Sequence, residues 1–362
     1  MKIISFSDQY RIYPDDLKTY DALPPKTFVV EFNKMSGYSL KEVEDFVQLE
    51  TKIYGTHEEK VAKILSSFKH FQRSMGVILS GDKGIGKSMS TQILAINAQE
   101  LGMPVIMVRE NTPGIHTYLD EIKQECLVIF DEFEKVFPEK KNDHLVSQEE
   151  LLGLFDGTSQ TKRLYAITVN NVFKLSEFIV SRPGRFHYHI RFGYPVASEV
   201  EEYLQDKLDK EYWAEIPKVV DFASKVKLNY DSLRAIAFEI SLGTPFAEAI
   251  RDLNILATDD NRYNVKVTFS NGFVSQKTNE SLNLFDSEIL IRSWAQNEYY
   301  SLRFDPRKAV RIEGDRTILD SNAVIEIDFD EEDNKVLTEG VTVESIEITI
   351  NKGKDMHYNL AY

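Results

Sequence analysis

Short apolar runs alternate with segments of helical periodicity between residues 51 and 198. The runs that predict strands are residues 77–79, 105–108, 127–130, 165–169 and 188–192. Alternation of strands with helices is typical of a parallel sheet whose faces are covered by helices. The pattern therefore predicts an α/β core over residues 51–198.

The hydrophobic period changes on both sides of this core. Residues 199–258 have apolar positions at helical spacing and predict a helical domain. Within residues 261–362, apolar and polar positions alternate, and Asn271-Gly272 is a typical hairpin turn. This last segment predicts a separate all-β domain suited to recognition or assembly. The mixed pattern of residues 1–50 predicts a short N-terminal arm.

Composition excludes several classes of protein. Of the 362 residues, 42% are hydrophobic and 28% are charged, as in ordinary globular proteins. The formal net charge of −15 disfavours a broad nucleic-acid-binding face, because such a face needs an excess of Lys and Arg. The single cysteine, Cys126, excludes an internal disulfide framework and a cysteine-based zinc site. The sequence has no membrane-spanning apolar run and no signal peptide, so we expect a cytoplasmic protein that does not act on a membrane.

Residues 81–88 fit the phosphate-binding pattern GxxxxGK[ST], between a predicted strand and a predicted helix. The glycines let backbone N–H groups wrap around phosphates, and the helix N-terminus adds the positive end of its dipole. Lys87 is expected to contact the β- and γ-phosphates of ATP, and Ser88 is expected to ligate Mg²⁺. A glycine-rich turn without a ligand is the alternative. The predicted binding residues are Gly81, Asp82, Lys83, Gly84, Ile85, Gly86, Lys87, Ser88 and Met89.

Polar residues end two later strands of the predicted sheet. Asp131 and Glu132 follow the strand at 127–130, where an aspartate can hold the water shell of Mg²⁺ and a glutamate can act as a base on the attacking water. The alternative for this acidic pair is a solvated strand end. Asn170 follows the strand at 165–169 and can orient that water or contact the γ-phosphate, although Asn is also a common turn residue.

These three strand ends, taken in order, resemble those of the AAA ATPases, a group within the AAA+ superfamily. Three further segments carry the resemblance: residues 148–157 are similar to the group's "LLxxLDG" segment, residues 181–186 to its "RPGRF" element, and Ile53-Tyr54-Gly55 to the segment that packs on adenine. The resemblance implies an AAA+ parallel sheet with a helical lid, ahead of the C-terminal all-β domain.

The resemblance covers about residues 50–255. In one part of this range it points to a more specific subgroup of the family. The run from residue 151 to residue 195 is most similar to the mitochondrial inner-membrane AAA assembly factors. Those proteins have a membrane anchor, and we expect none here.

The resemblance also assigns roles to the matched residues. It implies that Asp131 and Glu132 are the Walker-B pair, and that Asn170 is the sensor-1 residue. It further implies that Arg182 and Arg185 are arginine fingers that reach the γ-phosphate bound by a neighbouring subunit. A finger in trans accelerates phosphoryl transfer by ~10³–10⁵ in well-studied NTPases, so we expect a homo-oligomer. The resemblance implies that this oligomer is a hexameric ring. The alternative for the two arginines is a structural turn with solvated guanidinium groups.

The leading functional hypothesis is an ATP-hydrolysing AAA ring that remodels, moves or assembles a protein partner. One alternative is a nucleic-acid-associated AAA+ ATPase, such as a helicase loader or a replication motor, which the negative charge disfavours. The other is a slow ATP-dependent assembly switch. It stays open because residues 109–118 lack the aromatic–hydrophobic–Gly tripeptide with which the family grips a threaded polypeptide. His116 and Tyr118 are expected on the helix that follows.

Overall fold

A computed structural model of the chain describes residues 2–6, 8–48, 52–139, 145–156, 161–255, 262–295, 298–313, 316–329 and 340–351. The chain divides into two compact units, residues 1–193 and 194–362. The domain boundaries predicted from the sequence stay predictions. Gly157, the last residue of the "LLxxLDG"-like segment, lies outside the described residues.

The first unit contains nine strands and six α-helices in its described part. In chain order they are β1 (Lys2–Phe6), β2 (Gln9–Tyr13), β3 (Thr27–Asn33), β4 (Gly37–Glu42), α1 (His57–His70), β5 (Met75–Ser80), α2 (Lys87–Glu100), β6 (Val105–Val108), α3 (Ile115–Glu121), β7 (Cys126–Phe130), α4 (Phe133–Val136), α5 (Gln148–Phe155), β8 (Arg163–Val169), α6 (Glu177–Val180) and β9 (Phe186–Arg191). Strands β1 and β2 form an antiparallel hairpin. The other seven strands form one sheet in the order β4-β3-β6-β7-β8-β5-β9.

Parallel pairing dominates this seven-stranded sheet, and only the edge strand β4 runs antiparallel to its neighbour. Strands β5, β7 and β8 are neighbours in it and are buried along their whole length. Strands that are covered on both faces are apolar throughout rather than alternating, which is the pattern that the sequence shows. Because parallel neighbours end at the same edge of a sheet, the residues that follow these three strands come together there.

Strands β3 and β4 extend the sheet beyond β6. Phe28 of β3 lies opposite Ile106 of β6, and Val30 of β3 lies opposite Leu40 of β4. The sequence predicts the strand at residues 105–108, but neither β4 nor the pairing of β3 with β6. Part of the predicted N-terminal arm therefore belongs to the same sheet as β5, the strand that leads into residues 81–86.

The second unit begins with helices and continues with strands. In chain order they are α7 (Ala197–Lys207), α8 (Ile216–Lys225), α9 (Tyr230–Ser241), α10 (Phe246–Asp252), β10 (Arg262–Phe269), β11 (Val274–Ser281), β12 (Ile289–Ala295), β13 (Glu298–Phe304), β14 (Ala309–Glu313), β15 (Arg316–Asp320), β16 (Val324–Phe329) and β17 (Val343–Ile350). The strands form a five-stranded sheet in the order β11-β10-β17-β15-β14 and a three-stranded sheet in the order β12-β13-β16. All their pairings are antiparallel.

The alternation predicted for β10 is present in the structure. Val265, Val267 and Phe269 are buried and share a core with residues of the other strands of this unit. Tyr263, also on β10, donates a hydrogen bond from its hydroxyl to the carbonyl oxygen of Lys225 at the end of α8, over 2.7 Å. The predicted fold class is confirmed: an α/β core with a parallel sheet, a helical region and an all-β C-terminal region.

The membrane question has a direct structural answer for the described residues. Among them, no helix combines the length and the apolar character needed to cross a bilayer.

Candidate functional site

The phosphate loop, residues 81–86, joins β5 to α2 at the carboxyl edge of the sheet. Gly86 has a φ of 95°, and a Cβ atom there would lie 2.6 Å from Cε1 of His57. At Gly81 a Cβ atom would lie 2.5 Å from the carbonyl oxygen of Phe192. Only glycine fits these two positions, so the loop's backbone conformation depends on the two glycines of the sequence pattern.

Lys87 is buried at the first position of α2. Its Nζ donates hydrogen bonds to the carbonyl oxygens of Gly81, at 2.6 Å, and of Asp82, at 2.5 Å. Burial lowers the pKa of Lys87, and nearby carboxylates, of which Asp82 is the strongest, oppose that shift. The ammonium group thus contacts the backbone of the loop in which a phosphate would bind.

The other predicted loop residues differ in exposure. Asp82, Lys83 and Ser88 are exposed, and Ile85 is buried. The remaining members, Gly81, Gly84, Gly86 and Met89, are half-buried. Ser88 therefore presents its hydroxyl in the first turn of α2, where a ligand can reach it.

Thr168 of β8 connects the side chain of Asp131 to the backbone of Glu132, just after β7. Its hydroxyl donates a hydrogen bond to Oδ1 of Asp131 over 2.6 Å. The hydroxyl oxygen of Thr168 in turn accepts a hydrogen bond from the backbone N–H of Glu132 over 2.8 Å. Thr168 is buried, so this link fixes the end of β7 against β8.

Glu132 has a left-handed backbone, with a φ of 46°. Its Oε1 accepts a hydrogen bond from Nδ2 of Asn170 over 3.3 Å and forms an ion pair with Lys135. The Lys135 hydrogen bond is the main reason why the pKa of Glu132 lies below its usual value. The carboxylate is therefore ionised at neutral pH, as a general base must be.

Glu134 holds the backbone of Asn170. This glutamate is buried, and its Oε1 accepts a hydrogen bond from the N–H of Asn170 over 2.9 Å. Its Oε2 has no hydrogen-bond partner among the described residues. Asn170 is thus bound through its backbone to Glu134 and through its side chain to Glu132.

The two predicted arginine fingers have different surroundings. Arg182 is exposed, and its guanidinium lies 5.4 Å from the ring centroid of Phe178. Arg185 is buried and forms an ion pair with Asp156, in which Nη2 and Oδ2 are 2.9 Å apart. Its Nη1 also donates to the carbonyl oxygen of Phe178 over 2.9 Å. Arg185 is therefore bound within its own chain, whereas Arg182 faces solvent.

The segment proposed to contact adenine lies just ahead of α1. Tyr54 is buried, Ile53 is half-buried, and Gly55 has a positive φ of 72°. Two residues further along, His57 contacts Gly86. The segment is thereby placed close to the end of the phosphate loop.

Three residues of this site carry no strong signal in the sequence: His57, Thr168 and Glu134. Thr168 is a polar residue in an otherwise apolar strand, which is a weak signal. Glu134 is one more acidic residue after Asp131 and Glu132, and nothing in the sequence distinguishes it.

The donor set suits Mg²⁺ rather than zinc. Ser88 and Asp131 offer hydroxyl and carboxylate oxygens, which hard cations prefer, and Mg²⁺ commonly takes its other ligands from water and substrate phosphates. Within the described residues there is no group of three or more His, Cys, Asp or Glu side chains that could hold a metal ion. His187 and His189, which are two positions apart on β9, are accordingly not part of such a cluster.

The loop after β6 is fixed on two sides. Nδ2 of Asn111 donates to the carbonyl oxygens of Val136, at 2.9 Å, and Val146, at 2.8 Å. The hydroxyl of Tyr38 on β4 lies 2.8 Å from Oγ1 of Thr112. As expected, His116 and Tyr118 lie on α3 and not in this loop.

Comparison with known proteins identifies one family model and two similar proteins. Residues 77–194 match the model of the ATPase family associated with various cellular activities (AAA). The "ATP-dependent zinc metalloprotease FtsH" of Mycoplasma genitalium is 23% identical over 246 residues, which are 60% of this chain and 33% of that protein. The protein of the same name from Mycoplasma pneumoniae is 24% identical over 211 residues, which are 53% of this chain and 28% of that protein. The chain thus matches about a third of the length of these relatives.

Proposed function

Because this protein carries an AAA ATPase domain over residues 77–194, we propose that it hydrolyses ATP to remodel, move or assemble a protein partner, as a ring of identical subunits. The resemblance to the AAA ATPases is confirmed over residues 77–194, which indicates a hydrolase of the ATPase class, and nucleotide binding is what that family implies. The narrower similarity to the inner-membrane assembly factors stays a prediction. The ring, its hexameric size, the bound Mg²⁺ and the protein partner are parts of the proposal.

ATP binding is assigned to the phosphate loop and to Lys87. The loop's backbone N–H groups and the N-terminus of α2 suit a triphosphate, and the ammonium group of Lys87 adds a charge close to it. Ser88 and Asp131 would hold Mg²⁺, which when bound neutralises charge on the phosphates. Ile53, Tyr54 and Gly55 are proposed to pack on the adenine.

Hydrolysis is assigned to Glu132 and Asn170. The ionised carboxylate of Glu132 takes a proton from the attacking water, and the amide of Asn170 orients that water or the γ-phosphate. The single observation that supports this assignment best is the network of Asp131, Thr168, Glu132 and Asn170 at the ends of neighbouring strands β7 and β8. Strand β5, which leads into the phosphate loop, lies beside β8.

The ring is supported by the position of Arg182. An exposed guanidinium such as that of Arg182 can reach a γ-phosphate bound by another subunit. Contacts of this head-to-tail kind form a ring when the rotation between neighbouring subunits closes. Arg185 is proposed to act at the same interface, with its guanidinium anchored by Asp156.

A protein partner is proposed in preference to a nucleic acid. The net charge of −15 disfavours a broad surface that binds the phosphates of a nucleic acid. The two relatives are described as proteases, which act on proteins. The slow assembly switch remains the second candidate. It is favoured by the loop after β6, because the contact of Thr112 with Tyr38 and the hydrogen bonds that Asn111 donates limit the movement that gripping a chain would need.

The experiment compares two potential stimulators of ATP turnover by the full chain with a buffer control. Unfolded protein, double-stranded DNA and buffer alone are each added, and oligomer size is measured with ATP and with a non-hydrolysable analogue. We expect stimulation by unfolded protein. Stimulation by DNA alone would contradict the protein partner. No stimulation, together with ATP-driven assembly, would favour the switch.

A further inference from the structure

We propose that His57 is a positioning residue of the ATPase site, which holds the phosphate loop, through Gly86 and Ser90, in the conformation that binds phosphates. The proposal rests on nucleotide binding by the phosphate loop and not on any protein partner.

One edge of the imidazole ring fixes the end of the loop. His57 is 5% exposed, and its Nδ1 lies 2.6 Å from Oγ of Ser90 in α2. The N–H of Ser90 donates to the carbonyl oxygen of Gly86 over 3.0 Å, which closes the first turn of the helix. The ring also occupies the space where a Cβ atom of residue 86 would be. His57 therefore contacts both ends of the turn that carries Lys87.

One face of the ring stacks on Phe192. The two ring centroids are 4.8 Å apart and the ring planes differ by 6°. The N–H of Phe192 donates to the carbonyl oxygen of Ser80 over 2.8 Å, immediately ahead of the loop. The carbonyl oxygen of Phe192, together with Cδ1 of Ile85, leaves no room for a side chain at Gly81. The stacked pair thus contacts the loop at its beginning, through Phe192, and at its end, through His57.

A second histidine–serine pair lies at the beginning of the loop. Nε2 of His189 on β9 is 2.7 Å from Oγ of Ser80, the last residue of β5. Each end of the phosphate loop is therefore flanked by a serine that is hydrogen-bonded to a histidine. This arrangement is a reason to assign the histidines to the loop rather than to general packing.

The role of His57 is geometric and not electrostatic. Burial, with a smaller contribution from Lys60, lowers the pKa of His57 to about 4. The ring is neutral at physiological pH and adds no charge to the phosphate site. Its effect must reach the nucleotide through the backbone of Gly86 and the hydroxyl of Ser90.

Loss of this support should weaken binding before it affects chemistry. If the loop spends only a fraction of its time in the binding conformation, the apparent Kd rises by the inverse of that fraction. For His57→Ala in the full chain we expect the Kd values for ATP and ADP to rise by about tenfold or more. At saturating ATP, kcat should change much less than KM. Binding of a fluorescent ADP analogue, with ATP and ADP as competitors, measures the two Kd values. Steady-state ATP turnover measures kcat and KM.

Conservative variants separate the two contacts of the ring. His57→Asn keeps a polar group near the position of Nδ1 and should restore part of the affinity, whereas His57→Phe keeps the stacked ring and loses the bond to Ser90. Ser90→Ala removes the same bond from the other side and should raise Kd in the same direction as His57→Phe. His187→Ala, at an exposed position on β9, is the matched control and should leave Kd unchanged.

Several results would overturn the proposal. One is a folded His57→Ala variant that binds ADP as the wild type does. Another is a fall in kcat with an unchanged Kd, since that would place His57 in the chemical step. If His57→Ala does not fold, wild-type affinity in both His57→Phe and Ser90→Ala would overturn the proposal equally. Binding of ADP needs no partner protein, so failure of the proposed partner leaves this test intact.

Discussion

Asn170 donates a hydrogen bond from Nδ2 to Oε1 of Glu132, and the two atoms are 3.3 Å apart. The two residues follow neighbouring strands, β7 and β8, and are 38 positions apart in the chain. The contact brings the amide that can orient a water molecule to the carboxylate that can deprotonate it. Lys135 binds the same oxygen of Glu132 and must share it during the reaction.

The Thr168→Val substitution tests the link between Asp131 and Glu132. It keeps the shape of the side chain but removes the hydroxyl that donates to Asp131 and accepts from the Glu132 N–H. Leaving a fully buried polar group without a partner costs about 1–3 kcal/mol of stability, and the loss is smaller here because Asp131 is exposed and Glu132 is half-buried. We expect a lower unfolding temperature and slower turnover, while Thr168→Ser, which keeps the hydroxyl, should stay close to the wild type in both.

The Glu134→Gln substitution tests how Asn170 is held. The carboxylate of Glu134 accepts the N–H of Asn170, and the amide oxygen of Gln can accept the same bond. We therefore expect Glu134→Gln to retain much of the turnover and Glu134→Ala to lose most of it, with ATP affinity unchanged in both. Equal turnover in the wild type and in Glu134→Ala would show that this contact does not position Asn170.

His57 gives the stability of the protein a specific dependence on pH. Its pKa is about 4 in the folded protein, against 6.5 for an ordinary histidine, so the unfolded chain binds a proton first as the pH falls. The contribution of the neutral His57 to the free energy of unfolding is therefore fully present above pH 6.5 and is lost as the pH falls from 6.5 to 4. The loss at pH 5 is about 2 kcal/mol.

The pH effect is measured by comparing His57→Phe with the wild type. The variant lacks the titrating ring, whereas the carboxylates of the protein titrate in both. We expect the unfolding temperature of the wild type to fall more than that of the variant between about pH 7.5 and about pH 5. Parallel falls in the two proteins would show that His57 titrates normally.

The two arginines should differ in what their removal does. Arg182 is exposed, so Arg182→Ala should leave the unfolding temperature unchanged and lower turnover by ~10³ or more if it is a finger. ATP binding should be retained. Mixing Arg182→Ala subunits with Lys87→Ala subunits should restore some turnover, because one interface then combines an intact loop with an intact finger. Absence of rescue in proven mixed assemblies would contradict action across the interface.

Arg185→Ala should reduce stability as well as turnover. Arg185 is the main reason why the pKa of Asp156 lies below its usual value, and the ion pair is largely buried on the arginine side. Its loss leaves Asp156 without that partner, so we expect a lower unfolding temperature than for Arg182→Ala. Thermal unfolding of the two variants side by side is the measurement. An unchanged unfolding temperature in Arg185→Ala would show that the ion pair is not structural.

Local patterns were enough to predict the phosphate loop and the strand ends, but not their surroundings. The glycines at 81 and 86 and the residues after β7 and β8 follow rules of short range, so the sequence alone predicts them. The contact of His57 with Gly86 and the pair formed by Arg185 and Asp156, 29 positions apart, depend on tertiary packing. No periodicity in the sequence encodes such contacts. The pairing of β3 with β6 was missed for the same reason, since parallel neighbours are distant in the chain.

The most direct test of the central claim is ATP turnover by Glu132→Gln, measured together with its affinity for ATP. Gln keeps the size of the side chain and an oxygen that can accept from Asn170, but it cannot take a proton from water. We predict that turnover falls by ~10² or more while ATP still binds as tightly as in the wild type. Near-normal turnover in this variant would contradict the account, because the base would then lie elsewhere.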